Sequence, residues 1–143
     1  MSEVNFKYVV SGDILQKYID GLYKPRTVWE RVFLLLKSKG IDVYSPGQHK
    51  GQCTSLYVVV KNSGTIPSLG ATQSGSQTID VILYCPLTNY TSLEPYTIKI
   101  QQLLHELREF IRPTGNIIGV LVDDNVDAYT NTIEYQTFQK LRR

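Results

Sequence analysis

The last fifty residues of the chain, 94–143, constrain the fold most, because they contain four elements in a fixed order. The apolar spacing of 95–112 predicts an amphipathic helix that stops at Pro113. Apolar residues 117–122 predict a short strand, and 132–143 predict a terminal strand. The acidic residues between them predict a turn. Nothing in this unit has the pattern of a catalytic site.

The helix predicted at 95–112 has a single apolar stripe, with charged and polar residues outside it. A stripe of this width fits against one face of a sheet. The stripe comprises Ile100, Leu103, Leu104, Leu107 and Ile111, and the residues outside it include Lys99, Gln102, Glu106 and Glu109.

An earlier helix has the clearest local signal in the chain. Thr27 and Glu30 have the spacing of a capping box, in which the threonine caps the Glu30 amide and the carboxylate reaches back. Gly40 is placed to end the helix in the left-handed conformation. Five consecutive apolar residues, 32–36, spread around the helix and predict that it is covered on more than one side.

Three further strands are predicted at 41–44, 56–61 and 77–85, the last ended by Pro86. The strand at 56–61 is rich in β-branched residues and is expected to be covered on both faces. Alternation in 77–85 places four apolar side chains on one face. These are Ile79, Val81, Leu83 and Cys85. The polar stretches 45–52 and 62–76 predict loops, the second a long mobile hairpin or loop.

Together these elements predict an α+β fold with two main helices on a four- to five-stranded, mostly antiparallel sheet. Residues 24–143 are expected to form this single domain. Residues 1–23 are expected to be an N-terminal extension, with a strand or arm at Asn5–Val10 and a short amphipathic helix near Asp13–Leu22. The apolar face of that helix must pack on the domain or on a neighbouring subunit.

Charge and hydropathy disfavour two classes of partner. The chain has 15 Lys and Arg against 13 Asp and Glu, a formal net charge of +2, so neither specific nucleic-acid binding nor attraction to an anionic membrane is expected. We find no apolar run of the length that a signal peptide or a membrane span needs. We therefore expect a soluble protein made in a reducing cytoplasm.

Cysteine, histidine and carboxylate residues offer weak candidates for chemistry. Cys53 and Cys85 are too few for a disulfide framework and suit buried thiols in or beside strands. His49 lies four residues before Cys53, but that spacing on a loop does not bring the two side chains together, and four zinc ligands are not available. The expected alternative is a flexible loop histidine and a buried thiol. His105 is expected on the polar side of its helix.

The acidic segment 123–127 invites a metal hypothesis with Asp123, Asp124 and Asp127, joined by Glu134, since carboxylates at short spacing suit Mg²⁺ or Ca²⁺. The segment lacks the ligand order of an EF-hand loop. A turn in which Asp and Asn bond their own backbone is the favoured interpretation. No catalytic, cofactor-binding or metal-binding residue is therefore predicted.

Partner contacts are predicted instead on polar loops and at the basic C-terminus, because loops on a rigid scaffold often carry binding. We expect the loops 45–52 and 62–76 and the C-terminal tail to contact neighbouring subunits. The candidate residues are Gln48, His49, Lys50, Gln73, Ser74, Lys140, Arg142 and Arg143.

The order and spacing of elements over 24–143 resemble the tail terminator (tail completion) proteins of long-tailed bacteriophages. The likeness is carried by the capped first helix, by Tyr-Val-Val-Val at 57–60 and by Ile-Asp-Val-Ile-Leu-Tyr at 79–84. The late helix and the Val-Asp-Asp and Thr-Ile-Glu-Tyr-Gln segments within 122–136 complete it. Each motif is weak alone, and the succession carries the resemblance.

The resemblance implies a structural virion protein rather than an enzyme, with no cofactor. Such subunits form a ring, typically a hexamer, on the last ring of the tail tube, stop tube polymerisation and present a surface for head joining. The implied partners are further copies of the chain, the tail tube protein, the head connector or neck protein and, in contractile tails, the sheath protein. The implied location is the tail–neck junction of the virion, and the host cytoplasm during assembly.

Three alternatives remain open from the sequence. A neighbouring head–tail joining or neck protein would have the same size and fold class. A small metal- or thiol-dependent enzyme would use the acidic turn or Cys53, and would take up metal or label rapidly at the thiol. A nucleic-acid-binding module using the basic C-terminus would bind DNA with a strong dependence on salt.

Overall fold

The computed structural model describes residues 12–49, 51–67 and 75–137, with only the backbone described at 63–67, 75–76 and 116–118. Within these residues the chain forms three α-helices and five β-strands, apart from short 3-10 turns. In chain order they are α1 (Gly12–Ile19), α2 (Val28–Ser38), β1 (Val43–Tyr44), β2 (Tyr57–Pro67), β3 (Gly75–Pro86), α3 (Leu93–Leu104), β4 (Ile111–Asp123) and β5 (Ala128–Thr137).

The described strands form one five-stranded sheet in the order β1-β2-β3-β5-β4. β1 runs parallel to β2, and all other neighbours are antiparallel. Helices α2 and α3 pack on one face of this sheet, over a core of aliphatic side chains from β2, β3 and β5. The predicted α+β class, with two main helices on a mostly antiparallel sheet and a helix before them, is confirmed.

Helix α2 forms as its sequence predicts. Thr27 Oγ1 accepts a hydrogen bond from the Glu30 amide at 3.0 Å, and the Glu30 carboxylate reaches back to the Arg26 amide at 2.7 Å. The helix ends before Gly40, which has a positive φ of 81°. Residues 32–36 of α2 are all buried. The prediction that this helix is covered on more than one side is therefore confirmed.

The central strands also follow their sequence patterns, although they are longer than predicted. The four alternating side chains of β3 are fully buried on the helix-covered face. Residues 57–60 of β2 are buried on both faces. The stretch 62–76, predicted as a long hairpin or loop, contributes to a hairpin, because β2 continues to Pro67 and pairs antiparallel with β3 from Gly75, with a register shift between Asn62 and Gly64. Residues 68–74 lie outside the described residues.

The prediction for the second long helix is wrong at its C-terminal end. α3 ends at Leu104, and one 3-10 turn, His105–Leu107, follows it. Ile111, expected on the helix stripe, opens β4 and pairs with Thr137 while remaining buried. Pairing with β5 supplies the backbone hydrogen bonds that a longer helix would have made, and Pro113 disfavours helical geometry at the residue before it.

The two C-terminal strands extend beyond the predicted ranges. β4 covers 111–123 rather than 117–122, and it includes Pro113, which an edge strand tolerates. β5 begins at Ala128, four residues before the predicted start. The predicted strand or arm at Asn5–Val10 and the strand residues 138–143 lie outside the described residues. No described helix is long and apolar enough to cross a membrane.

Candidate interaction surface

Strand β4 ends the sheet and carries the most exposed apolar run among the described residues. Val120, Leu121 and Val122 have exposed fractions of 41%, 57% and 52%. The pairing of β4 with β5 shifts register between Pro113 and Ile117 and again between Ile118 and Leu121. As the last strand in the described sheet, β4 has an outer side without a described partner strand, and exposed apolar side chains lie on it. Such an edge is available to a partner, although register shifts of this kind limit pairing with a further strand.

A groove of about 560 Å³ lies between α3 and this edge strand. Its floor is polar but internally satisfied, because Asn131 Nδ2 donates to Thr97 Oγ1 at 3.1 Å and Thr97 Oγ1 donates to the Leu93 carbonyl at 2.8 Å. The groove is lined by Tyr90, Thr91, Leu93, Glu94, Thr97, Ile98, Gln101, Val120 and Asn131. The floor therefore favours apolar groups of a ligand, and Glu94 is the charged residue among those that line the groove.

The walls of the groove arise from two short segments. Ile98 stands on α3 outside the buried stripe and is 46% exposed. Tyr90 stands in the 3-10 turn before α3, with its ring edge-on to Tyr129 of β5 at 4.7 Å between centroids. Val120 closes the groove from β4. We call the surface formed by Tyr90, Ile98 and Val120 the α3–β4 groove.

The loop that carries Gln48 and His49 folds back onto the sheet face opposite the helices. The His49 ring stacks on Tyr57 at 3.7 Å between centroids, and Tyr57 stacks on Tyr84 at 4.5 Å, both pairs nearly parallel. Burial raises the pKa of Tyr57, and the nearby Cys53 raises it further. His49 is thus part of an aromatic column rather than a flexible loop residue, which corrects that expectation. Gln48 is half-buried beside it.

The thiol of Cys53 is buried and is not paired with His49. Cys53 Sγ donates to the Ser55 carbonyl at 3.3 Å. Burial, followed by the neighbouring Cys85, raises the pKa of Cys53 from 9.0 to about 11. Cys85 is also buried, and its thiol donates a hydrogen bond to the Asn89 carbonyl at 3.0 Å. A thiol with a raised pKa is protonated at neutral pH, whereas a catalytic cysteine needs the thiolate.

The acidic segment is a tight turn between β4 and β5. Asp123 Oδ1 accepts from the Asn125 amide at 3.0 Å, the self-bonding geometry expected of such a turn. Asp127 adopts a positive φ of 55°. Glu134 lies away from the turn, where it pairs in register with Asp80. In the described part of the chain, no group of three His, Cys, Asp or Glu side chains is placed to hold a metal ion.

Six of the predicted partner-contact residues lie outside the described residues, and their roles stay predictions. These are Lys50, Gln73, Ser74, Lys140, Arg142 and Arg143. The α3–β4 groove was not predicted from the sequence. The available signals were Ile98, an apolar residue outside the helix stripe, and the unbroken apolar run 120–122, which lacks the alternation of a half-buried strand.

Comparison of the chain with protein-family models, with curated proteins and with solved structures finds no match. The function proposed below is therefore based on the exposed surfaces of the structure and on the order of elements in the sequence.

Proposed function

We propose that this protein is a ring-forming subunit that caps the tail tube of a long-tailed bacteriophage, stops tube polymerisation and provides the surface to which the head is joined. In this role the protein is part of the virion at the tail–neck junction. Its partners are further copies of itself, the tail tube protein and the head connector, with the sheath protein as a further partner in a contractile tail.

The observation that carries the proposal is the distribution of exposed apolar side chains. Eight large apolar side chains are exposed among the described residues, and five of them lie at the α3–β4 groove or directly after it on β4. These five are Tyr90, Ile98, Val120, Leu121 and Val122. An apolar concentration of this kind marks a protein–protein interface rather than an ordinary monomer surface.

A second, separate apolar patch supports a ring in particular. Ile19 and Leu22, at the end of α1, are 54% and 76% exposed. A head-to-tail ring needs two different surfaces on each subunit, one for each neighbour. We propose a tail-capping ring in particular because the order of elements resembles the tail terminator family.

Electron microscopy of phage particles assembled with and without this protein tests the proposal. Tubes of uncontrolled length, or tails without heads, are the expected result when the protein is absent. Tails of normal length that fail to join heads would assign the protein to the neck instead. Particles of normal form in its absence would overturn the proposal.

A further inference from the structure

We propose that the apolar end of α1 on one copy of the chain docks into the α3–β4 groove of a second copy, head to tail. We define the α1 knob as Ile19 and Leu22. The inference rests on the proposed ring and names the contact that builds it. Copies joined in this way form a chain or a closed ring, since each copy keeps one free knob and one free groove.

The knob is held in a fixed position rather than on a loose linker. The Leu22 amide donates to the Lys17 carbonyl at 2.7 Å, and the Gly21 amide donates to the Tyr18 carbonyl at 3.1 Å. With Gly21 at a φ of 77°, this is a Schellman motif, which ends α1 and orients Leu22. The backbone of the knob is thus already ordered before binding, which lowers the entropy that binding costs.

The described residues of its own chain do not bury the knob. α1 packs against α2, yet none of its residues is buried. Leu22 is the most exposed large apolar side chain among the described residues. Docking into the groove would cover it.

The groove matches the knob in chemistry and in charge. Ile98 and Val120 give it apolar walls, and its polar floor is already satisfied by internal hydrogen bonds. Glu94 lines the groove and is exposed, while Lys24 is exposed two residues beyond Leu22. The other charges near the knob are used within α1 and its end, because Asp20 accepts from Gln16 and Lys17 pairs with Asp13. Lys24 is therefore left to face Glu94 when Leu22 is seated in the groove, and this complementarity favours a copy of the same chain as the occupant.

Head-to-tail pairing covers both surfaces, and so does a reciprocal two-fold dimer in which each knob sits in the groove of the other copy. A two-fold contact through the knob would place Leu22 against Leu22 and Lys24 near Lys24, leaving both grooves open. A two-fold contact through the groove would set Glu94 near Glu94 and leave both knobs exposed. Like charges brought together across an interface are unfavourable.

Disulfide cross-linking between two variants of the full-length chain, each with one added surface cysteine, tests the contact. We expect an equimolar mixture of Leu22→Cys and Ile98→Cys to form a covalent heterodimer under mild oxidation, because the native Cys53 and Cys85 are buried and do not compete. Each variant alone should remain uncross-linked. The double variant should form a ladder of covalent oligomers, whereas a product that stops at a doubly linked dimer would overturn the head-to-tail arrangement. A homodimer formed by either variant alone, or no product in the mixture, would overturn the proposal.

A control for chance collisions pairs Ile98→Cys with Asn125→Cys, which places an exposed thiol on the β4–β5 turn instead of the knob. A yield equal to that of the Leu22→Cys mixture would overturn the proposal. In the cross-linking mixture, adding Lys24→Glu to the knob variant should lower the initial rate about two- to fivefold, as expected for a surface ion pair. Adding Glu94→Lys to the groove variant should then restore it.

The two proposals fail separately. Cross-linking is measured on the protein alone, and tail length is measured on particles. Loss of length control without any Leu22–Ile98 product refutes the docking contact and leaves the tail function standing. Specific cross-linking, combined with particles that are normal in the absence of the protein, refutes the tail function and leaves the docking contact standing.

Discussion

The two edges of the sheet are treated in opposite ways by the rest of the chain. At the β1 edge, only two residues pair with β2, and the Trp29 indole donates to the Val60 carbonyl just beyond them at 2.8 Å. At the β4 edge, the exposed apolar residues 120–122 lead directly into the acidic turn. Within the residues that the structure describes, one edge is covered by a side chain of α2 and the other is not covered.

This difference indicates where the protein is built to associate. Proteins protect unpaired edges with short strands, charges or covering elements, because an exposed edge recruits further strands. The β1 edge has both a short strand and a covering side chain. The β4 edge has irregular register as its protection, and it lies beside an apolar groove. On the proposed function, the closed edge serves stability and the open edge serves assembly.

The largest expected contrast comes from truncating one aliphatic side chain at each edge. Ile41, just before β1, is 5% exposed and packs in the main core, whereas Leu121 is 57% exposed. Ile41→Ala should lower the free energy of unfolding by about 2–5 kcal/mol. Leu121→Ala should change it by no more than about 0.5 kcal/mol. Urea unfolding of both variants measures the contrast, and similar losses would show that the two edges are equally buried.

A smaller effect is expected from removing the indole hydrogen bond at the closed edge. Trp29→Phe retains a ring against Phe33, on which Trp29 stacks at 5.0 Å, but removes the donor to the Val60 carbonyl. We expect a loss of about 1 kcal/mol in the free energy of unfolding. Tyr90→Phe is the control at the open edge, because the Tyr90 side chain is half-exposed. An equal loss in both variants would mean that the indole does not close the edge.

The features that could be predicted from the sequence were local ones. The capping box of Thr27 and Glu30 lies within a single turn, and so does the glycine that ends α2. The buried face of β3 follows from simple alternation. The predicted start of α3 was also close to the observed one. Its predicted end was wrong, because Ile111 pairs in the sheet with a residue 26 positions later.

The α3–β4 groove could not be predicted because it depends on strand order. β5 lies between β3 and β4, so the last strand of the chain is central and the preceding one is the edge. Without that order, Val120 reads as an ordinary core residue of a strand. Its proximity to Ile98 joins positions 22 residues apart and is set by how α3 lies over β3 and β5.

The smallest effect on stability is expected from placing a charge on the open edge. Val122→Lys replaces a valine side chain that is 52% exposed, so the free energy of unfolding should change by no more than about 0.5 kcal/mol. A charge on a strand edge opposes pairing with another chain. On the proposed function, self-association measured by analytical ultracentrifugation should therefore weaken. A large loss of stability would instead show that this edge is part of the monomer core.

Asn125→Lys is the matched control for this variant, because it adds the same charge three residues further on, in the exposed turn. Net charge alone would weaken association equally in both variants, since uniform self-repulsion acts on the whole molecule. An effect confined to Val122→Lys assigns the association to the β4 edge. Equal weakening would place the contact elsewhere, and the contrast between the two edges would then concern stability alone.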